Sequence, residues 1–305
     1  MMLSKGLLLG SILISFAAGS MADSTIGVIS WNVKGNTSVA NGGWSVPATQ
    51  SREILSIKNK INASQVDFIN LVQTTEQGTN NKTHLDQVLG TSRWSGVYSD
   101  CHFDATQIIY DNTKWQKIGS DFSGGFTDQC TGVDDRPYSM ALFKSKQSAN
   151  NKPVLFISVH FPHIGIHGWE GTAANLANSG FTNGFNTILK QNNLTADKVR
   201  VVMAGDMNEI GENFYGYQGI INTLKTGITA INDALSAQVK SCCSSNGYNS
   251  HFDKVYSTNS MIKQAPQDVL FDMTDYNIDE QHRPIYVLVS PLPGNEEQDF
   301  SQYYY

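Results

Sequence analysis

Residues 201–210 read VVMAGDMNEI, an apolar run that stops at a glycine and then presents Asp206 and Asn208. Gly, Asp and Asn are ordinary turn formers at a strand end. Spaced i and i+2 on an extended chain, the two polar side chains would also point the same way and could serve one site. The pattern recurs along the chain. Asn32 follows VISW, Gln73 follows INLV, His160 follows LFISV, Asp253 opens FDKVYS, and His282 precedes RPIYVLVS. Each residue alone has a structural explanation, as a turn former or a satisfied histidine. Their repetition at the ends of apolar runs argues instead that they converge, provided the strands are neighbours. Two histidines with acids, amides and an arginine suit the cleavage of phosphate esters. The charge of a phosphodiester repels a nucleophile. Hydrolysis therefore needs a cation or arginine on the phosphoryl oxygens, an activated water, and a proton donor for the leaving oxygen. Mg²⁺ takes hard oxygen ligands and keeps several waters, so one or two carboxylates suffice to hold it. Neither a GxSxG nucleophile elbow nor a GxxxxGK[ST] phosphate loop occurs in the sequence.

These residues must be positioned by the elements that end in them. Apolar runs predict strands over 25–33, 67–73, 105–110, 138–144, 154–159, 199–204, 252–257 and 285–290, with a short one at 115–118. Ile54, Leu55, Ile57 and Ile61 lie on one helical face within 51–63, and a second helix is expected within 170–191. The segments 138–144 and 154–159 read as a hairpin pair, and 223–235 is mixed. Many strands, few helices and no compositional break suggest two sheets packed face to face with helices outside. The tail EEQDFSQYYY reads as a poorly ordered end.

The 305 residues are 40% hydrophobic, enough for a large core in one domain, and the 26 glycines suggest long loops. A formal net charge of −6 argues against charge-driven adhesion to nucleic acid or an anionic membrane, though a local basic groove is compatible with it. Residues 1–22 have the pattern of a signal peptide cleaved after Ala22, with Ser20 and Ala22 as the small residues of the cleavage site. The apolar run is short for a membrane span; an uncleaved anchor is the alternative. The expectation is a secreted or periplasmic protein whose mature part, 23–305, is one domain. Four cysteines suit an oxidising compartment. Cys101 and Cys130 form the expected pair. The adjacent Cys242 and Cys243 could bond each other, stay free or pair elsewhere.

SWNVKG, GDMNEI and HRPIY, in that order, resemble the endonuclease/exonuclease/phosphatase superfamily, the DNase I-like proteins. The resemblance runs from about residue 26 to 289. The opening ISWNVKGNTSVANGGW is similar to that of cytolethal distending toxin B subunits. The resemblance implies an α/β fold, a four-layer αββα sandwich of two mainly antiparallel sheets, and a metal-dependent phosphoesterase. It implies Asn32 near metal and phosphate, Arg136 on the substrate phosphate and His160 as the first catalytic histidine. It further implies Asp206 handling the attacking water or the metal, Asn208 on the phosphoryl oxygen, and Asp253 orienting His282. Asp104 stands where the family often pairs an acid with its first histidine. Two departures stand out. The family's second strand ends in Gln-Glu, the Glu being the main metal ligand, whereas Gln73 here precedes Thr74. Glu76 is the nearest replacement. The family's closing Ser-Asp-His is Glu280-Gln281-His282.

The implied cofactor is Mg²⁺, or Ca²⁺ or Mn²⁺, and the implied substrate is DNA, with toxin-type carrier subunits as partners. A phospholipid or phosphoinositide phosphoesterase is the main alternative. For that reading Ile164, Ile166 and Trp169 would face lipid, while His163 and His167 beside them read as loop residues. A catalytically weakened member serving as a binding protein is the third reading.

Overall fold

The structure is a computed structural model, and it describes residues 25–32, 52–74, 92–99, 105–126, 136–147, 152–161, 180–208, 231–233, 240–243, 250, 252–258, 260–262 and 282–291. Its first strand, β1 (Ile26–Asn32), is buried at every position. An unbroken apolar run of this kind suits a strand covered on both faces. Ile29 and Trp31 face helix α1 (Arg52–Ala63), whose Ile57 and Ile61 pack on them. Ile26 and Val28 face a second sheet.

The chain continues through β2 (Phe68–Thr74), β3 (Trp94–Tyr98), β4 (Ala105–Asp111), β5 (Trp115–Gly125), β6 (Pro137–Ser145) and β7 (Val154–His160). It then forms α2 (Gly180–Gln191), β8 (Arg200–Asp206), β9 (Ile231–Asp233), β10 (Asp253–Thr258), β11 (Ser260–Ile262) and β12 (Ile285–Pro291). Two six-stranded sheets result, ordered β11-β12-β1-β2-β4-β3 and β5-β6-β7-β8-β10-β9. Every pairing is antiparallel except β1 with β2 and β7 with β8. A parallel pair needs a crossover, and each has its helix in that connection, α1 for one and α2 for the other. Phe181, Phe185, Ile188 and Leu189 of α2 cover the outer face of the second sheet. The layers are therefore helix, sheet, sheet, helix, the four-layer αββα sandwich expected.

Between the sheets the packing is graded along the strands. One end is apolar, centred on Phe68, which stacks on Phe156 at 4.8 Å and meets Phe143 edge-on at 5.1 Å. Burying one such ring contributes about 1.5–3 kcal/mol. Two residues further along each strand, the inward positions become Ser30, Asn70, Thr106, Ser139 and Ser158, all fully buried. Asn70 Nδ2 donates to Ser30 Oγ at 2.9 Å, and the Thr106 and Ser139 hydroxyls lie 3.0 Å apart. This polar layer leads to the strand ends that carry Asn32, His160 and Asp206.

The opposite end is fastened by Asp67. Its Oδ2 accepts from the Gly27 N–H and from Gln65 Nε2, each at 2.8 Å. Its Oδ1 accepts from Lys114 Nζ at 3.1 Å and from the Trp115 indole at 3.2 Å. One carboxylate thus joins the starts of β1, β2 and β5.

Several expectations need correction. The strand at 115 runs to Gly125, well beyond Ile118. Its Gly, Ser and Asp content argues for a turn, but pairing with β6 overrides that preference, with a register shift between Ile118 and Phe122. Two strands had not been expected: Trp94–Tyr98, an edge strand with an internal glycine, and Ser260–Ile262. Within 223–235 only β9 is described, and within 170–191 only α2. Cys101, Cys130, the segment 162–179 and the C-terminal tail lie outside the described residues.

Candidate active site

Strand register assembles the site. In the second sheet, His160 stands opposite Asp206 across the parallel β7–β8 pair, and Asp206 stands opposite Asp253 across β8–β10. In the first sheet, β1 ends at Asn32, and its neighbour β12 begins three residues after His282. The two sheets present these ends to each other. Asn32 Nδ2 donates to Asp206 Oδ2 at 2.8 Å. The same oxygen lies 3.5 Å from His160 Nε2 and 3.6 Å from His282 Nε2. These distances are long for hydrogen bonds and make electrostatic contacts. His282 Nδ1 meets Asp253 Oδ2 at 2.8 Å. An ionised carboxylate only accepts, so Nδ1 carries the proton and Nε2 faces Asp206. Asn32, His160, Asp206, Asp253 and His282, spread over 250 positions of sequence, form one buried cluster.

The electrostatics separate the two acids. Burial pushes the Asp206 carboxyl upward, but His282, His160 and the hydrogen bonds from Asn32 and the Asn208 N–H outweigh it, so its pKa is lowered. Burial raises the Asp253 pKa; the like charge of Asp206 adds to this, and His282 only partly opposes it. Asp206 therefore stays ionised between two imidazoles, while Asp253 orients one of them. Two acids whose pKa values are pushed apart in this way can divide acid and base work.

Asn208 corrects the expectation of one extended face. The strand ends at Asp206, and Asn208 has φ +49°, a left-handed conformation that asparagine tolerates. Its N–H donates to Asp206 Oδ1 at 2.8 Å, and its side-chain amide donates to the Phe161 carbonyl at 2.8 Å. The turn reading of GDMN holds, and the turn fixes the Asp206 carboxylate.

Arg136 is half-buried immediately before β6. Tyr138 opposite Val159 brings that start of β6 beside the His160 end of β7. Glu76 and Asp104 lie outside the described residues. Gln73 has φ +59° at a bulge, where the β2–β4 register shifts between Leu71 and Thr74. The bulge interrupts the alternation, so counting from Val72 does not fix which later residue faces the site.

Sequence reasoning missed three supports. The Trp31 indole donates to the His282 carbonyl at 3.1 Å and holds the histidine's backbone. Ser241 Oγ accepts from the Asp253 N–H at 3.1 Å, and the Ser241 carbonyl accepts from the Arg283 N–H at 2.8 Å. Cys242 and Cys243 are bonded to each other, one of the alternatives the sequence left open; what it did not show is that Cys242 Sγ lies 3.4 Å from His282 Nε2. The SWN motif was the available signal for Trp31; the contacts of Ser241 and Cys242 come from chain distant in sequence.

Asp206, Asp253 and His282 offer ligand atoms within 4.8 Å of one another, a set able to hold a cation. A hard cation favours oxygen. The Asp206 carboxylate with the Asn32 amide fits it better than His282, whose ring already holds Asp253.

Gly205 explains the small residue before the acid. It has φ +152°, and a Cβ there would stand 1.8 Å from the Val159 carbonyl oxygen. Gly205→Ala is expected to push β8 from β7 at the His160–Asp206 pair, costing about 1–3 kcal/mol of stability. A denaturant melt beside a hydrolysis assay checks this; wild-type values in both would contradict it.

The sequence matches no protein-family model and no curated protein. Its structure resembles several solved ones. An endonuclease/exonuclease/phosphatase from Bacteroides vulgatus is 15% identical with TM-score 0.59, over 88% of this chain and 100% of that one. Bacteroides thetaiotaomicron mannosyl-6-phosphatase is 13% identical with TM-score 0.57, over 87% and 99%. D. rerio TDP2 complexed with single strand DNA product is 12% identical with TM-score 0.54, over 88% and 100%. At such identities the likeness concerns the fold, and the fold of this chain is that of the endonuclease/exonuclease/phosphatase proteins, the DNase I-like sandwich.

Proposed function

We propose that this chain is a secreted, divalent-cation-dependent phosphodiesterase that hydrolyses DNA by in-line attack of water. The observation that carries the reading is the single oxygen Asp206 Oδ2, set between His160 Nε2, His282 Nε2 and the Asn32 amide. A carboxylate whose pKa is lowered, set between two imidazoles, suits a reaction that moves a proton on at one side and off at the other. Asp206 with His160 orients the attacking water and takes up its proton. His282, held by Asp253 and facing Asp206, stabilises the phosphoryl charge and protonates the leaving oxygen. Arg136 and Asn208 are assigned to the substrate phosphate, and Asp104 to His160.

A hard cation, Mg²⁺ in this proposal, would be held by Asp206 and Asn32 with Glu76 and would supply charge neutralisation at the phosphoryl oxygens. DNA as substrate is supported by the toxin-like opening ISWNVKGNTSVANGGW and by the D. rerio TDP2 complex, whose product is single strand DNA. Carrier subunits belong to the same toxin-like reading, and secretion to the N-terminal segment.

The test is plasmid nicking with Mg²⁺ and with a chelator, run beside a phospholipid and a small phosphomonoester. Nicking that falls about 10²-fold or more on chelation is expected. Cleavage of the phospholipid alone would move the substrate assignment, and no turnover of any ester would overturn the reading.

A further inference from the structure

We infer that the Cys242–Cys243 disulfide masks a second metal site, one for a soft divalent ion such as Zn²⁺, and that reduction of this disulfide opens it. The ligands are the two sulfurs and His282 Nε2.

Three observations carry this. The ligand atoms of Cys242, Cys243 and His282 lie within 4.8 Å of one another. Cys242 Sγ and His282 Nε2 are 3.4 Å apart. A tetrahedral zinc with bonds of about 2.3 Å to sulfur and about 2.0 Å to nitrogen spans roughly 3.5 Å between those ligands. Finally, His282 Nδ1 is already held by Asp253 at 2.8 Å. Metal-bound imidazoles regularly have such an acid on their other nitrogen, which fixes the ring and raises its donor strength.

The backbone supports the same geometry. Cys242 bridges to both Ser250 and His282, and Arg283 N–H donates to Ser241, so the cysteine pair and the histidine are fastened together independently of the disulfide. Cys242 is fully buried and Cys243 is 9% exposed, the more exposed of the two residues.

Oxidation state decides occupancy. While bonded, the sulfurs are too close to act as two separate ligands, and neither is a thiolate. Two electrons and two protons break the S–S bond and leave two thiols. A phosphine reductant supplies the electrons and leaves as its oxide, with oxygen from water. The sulfurs then separate to roughly 3.8 Å, the span across a tetrahedral ion. The ion displaces both thiol protons and binds Cys242, Cys243 and His282 Nε2, with water as the fourth ligand. The site is distinct in chemistry from the hard-cation pair Asp206 and Asn32, since thiolates select soft ions. It shares His282 with the proposed hydrolytic cluster, so an occupied site withdraws that imidazole from phosphate chemistry. This consequence rests on the phosphoesterase reading; the metal site itself does not.

The experiment uses the full chain, oxidised and after phosphine reduction, with Zn²⁺ and with Co²⁺ as a spectroscopic probe. The reduced chain is expected to bind one more Zn²⁺ per molecule than the oxidised chain and to show a sulfur-to-cobalt charge-transfer band. Cys242→Ser/Cys243→Ser should lose the band. Outer-shell partners alone are worth about 10–100-fold in affinity, so His282→Ala should weaken binding by at least ~100-fold. Equal zinc binding by the oxidised and reduced chains would overturn the proposal, and that comparison needs no variant to fold. A band that persists in the double serine variant, or unchanged affinity in His282→Ala, would also overturn it. In a parallel assay Zn²⁺ should silence DNA hydrolysis only in the reduced chain, while Mg²⁺ is present throughout. Zinc binding without any hydrolysis in either state would leave the metal site standing and remove the phosphoesterase reading.

Discussion

Asp206→Asn is expected to lower DNA hydrolysis by about 10³-fold while the protein still folds. The substitution keeps size and shape and removes one charge. Asp206 Oδ2 accepts from Asn32 and faces two imidazole nitrogens, and Oδ1 accepts the Asn208 N–H. An amide cannot accept at both positions, so an N–H would be turned either on Asn32 and the imidazoles or on the Asn208 N–H. In the proposed reaction the water loses its acceptor, and both imidazoles lose the negative charge they face. Positioned acid–base groups contribute about 10²–10⁴-fold, and preorganised charge at the reacting centre about 10²–10³-fold. Because the proposed reaction gives Asp206 both roles, a loss near 10³-fold is expected. Turnover per folded molecule measures it, and a loss below tenfold would show that Asp206 is only a structural acid.

Asp67→Ala should do the reverse, costing about 3 kcal/mol of stability and leaving turnover of the folded protein unchanged. Asp67 lies at the end of the sheets away from the cluster and is 2% exposed. Its removal leaves the buried Gly27 N–H and Trp115 indole without their acceptor and takes the partner from Lys114. Breaking a buried pair costs about 3–5 kcal/mol. Lys114 is 27% exposed and can turn to water, which places the expectation at the lower end. Denaturant unfolding gives the stability change, and turnover below the transition shows whether the site is intact. Lost turnover in the folded variant would mean that the two ends of the sandwich are coupled.

The fold was legible where burial is continuous. IGVISWN, LFISV and RVVMAGD are covered on both faces, so their apolar runs announce strands, and the polar residue ending each announces the site. Asn32, His160, Asp206, Asp253 and His282 could be picked out because each interrupts or borders such a run. Position along the strand was readable, but the partner across the interface was not. That Asn32 meets Asp206, and that both histidines share one oxygen, follows from packing sheet on sheet.

What escaped notice depends on tertiary pairing. Trp94–Tyr98 is short and interrupted by Ser95 and Gly96, the second half of Trp115–Gly125 is rich in Gly, Ser and Asp, and both are held by a neighbour. The bulge at Gln73 leaves no mark in the residue types yet changes the face presented after Val72. Ser30, Asn70, Thr106, Ser139 and Ser158 look like surface residues singly. Only strand parity, counted back by two from the inward site positions, would have placed Ser30 and Ser158 inside.

The most direct test of the account compares His160→Ala, His282→Ala and the double variant in DNA hydrolysis under one Mg²⁺ concentration. If both imidazoles act through the one Asp206 oxygen, each single variant loses about 10²-fold or more and the double variant falls to nearly the same floor, because members of one unit do not contribute additively. Hydrolysis undiminished in the double variant would contradict the account outright.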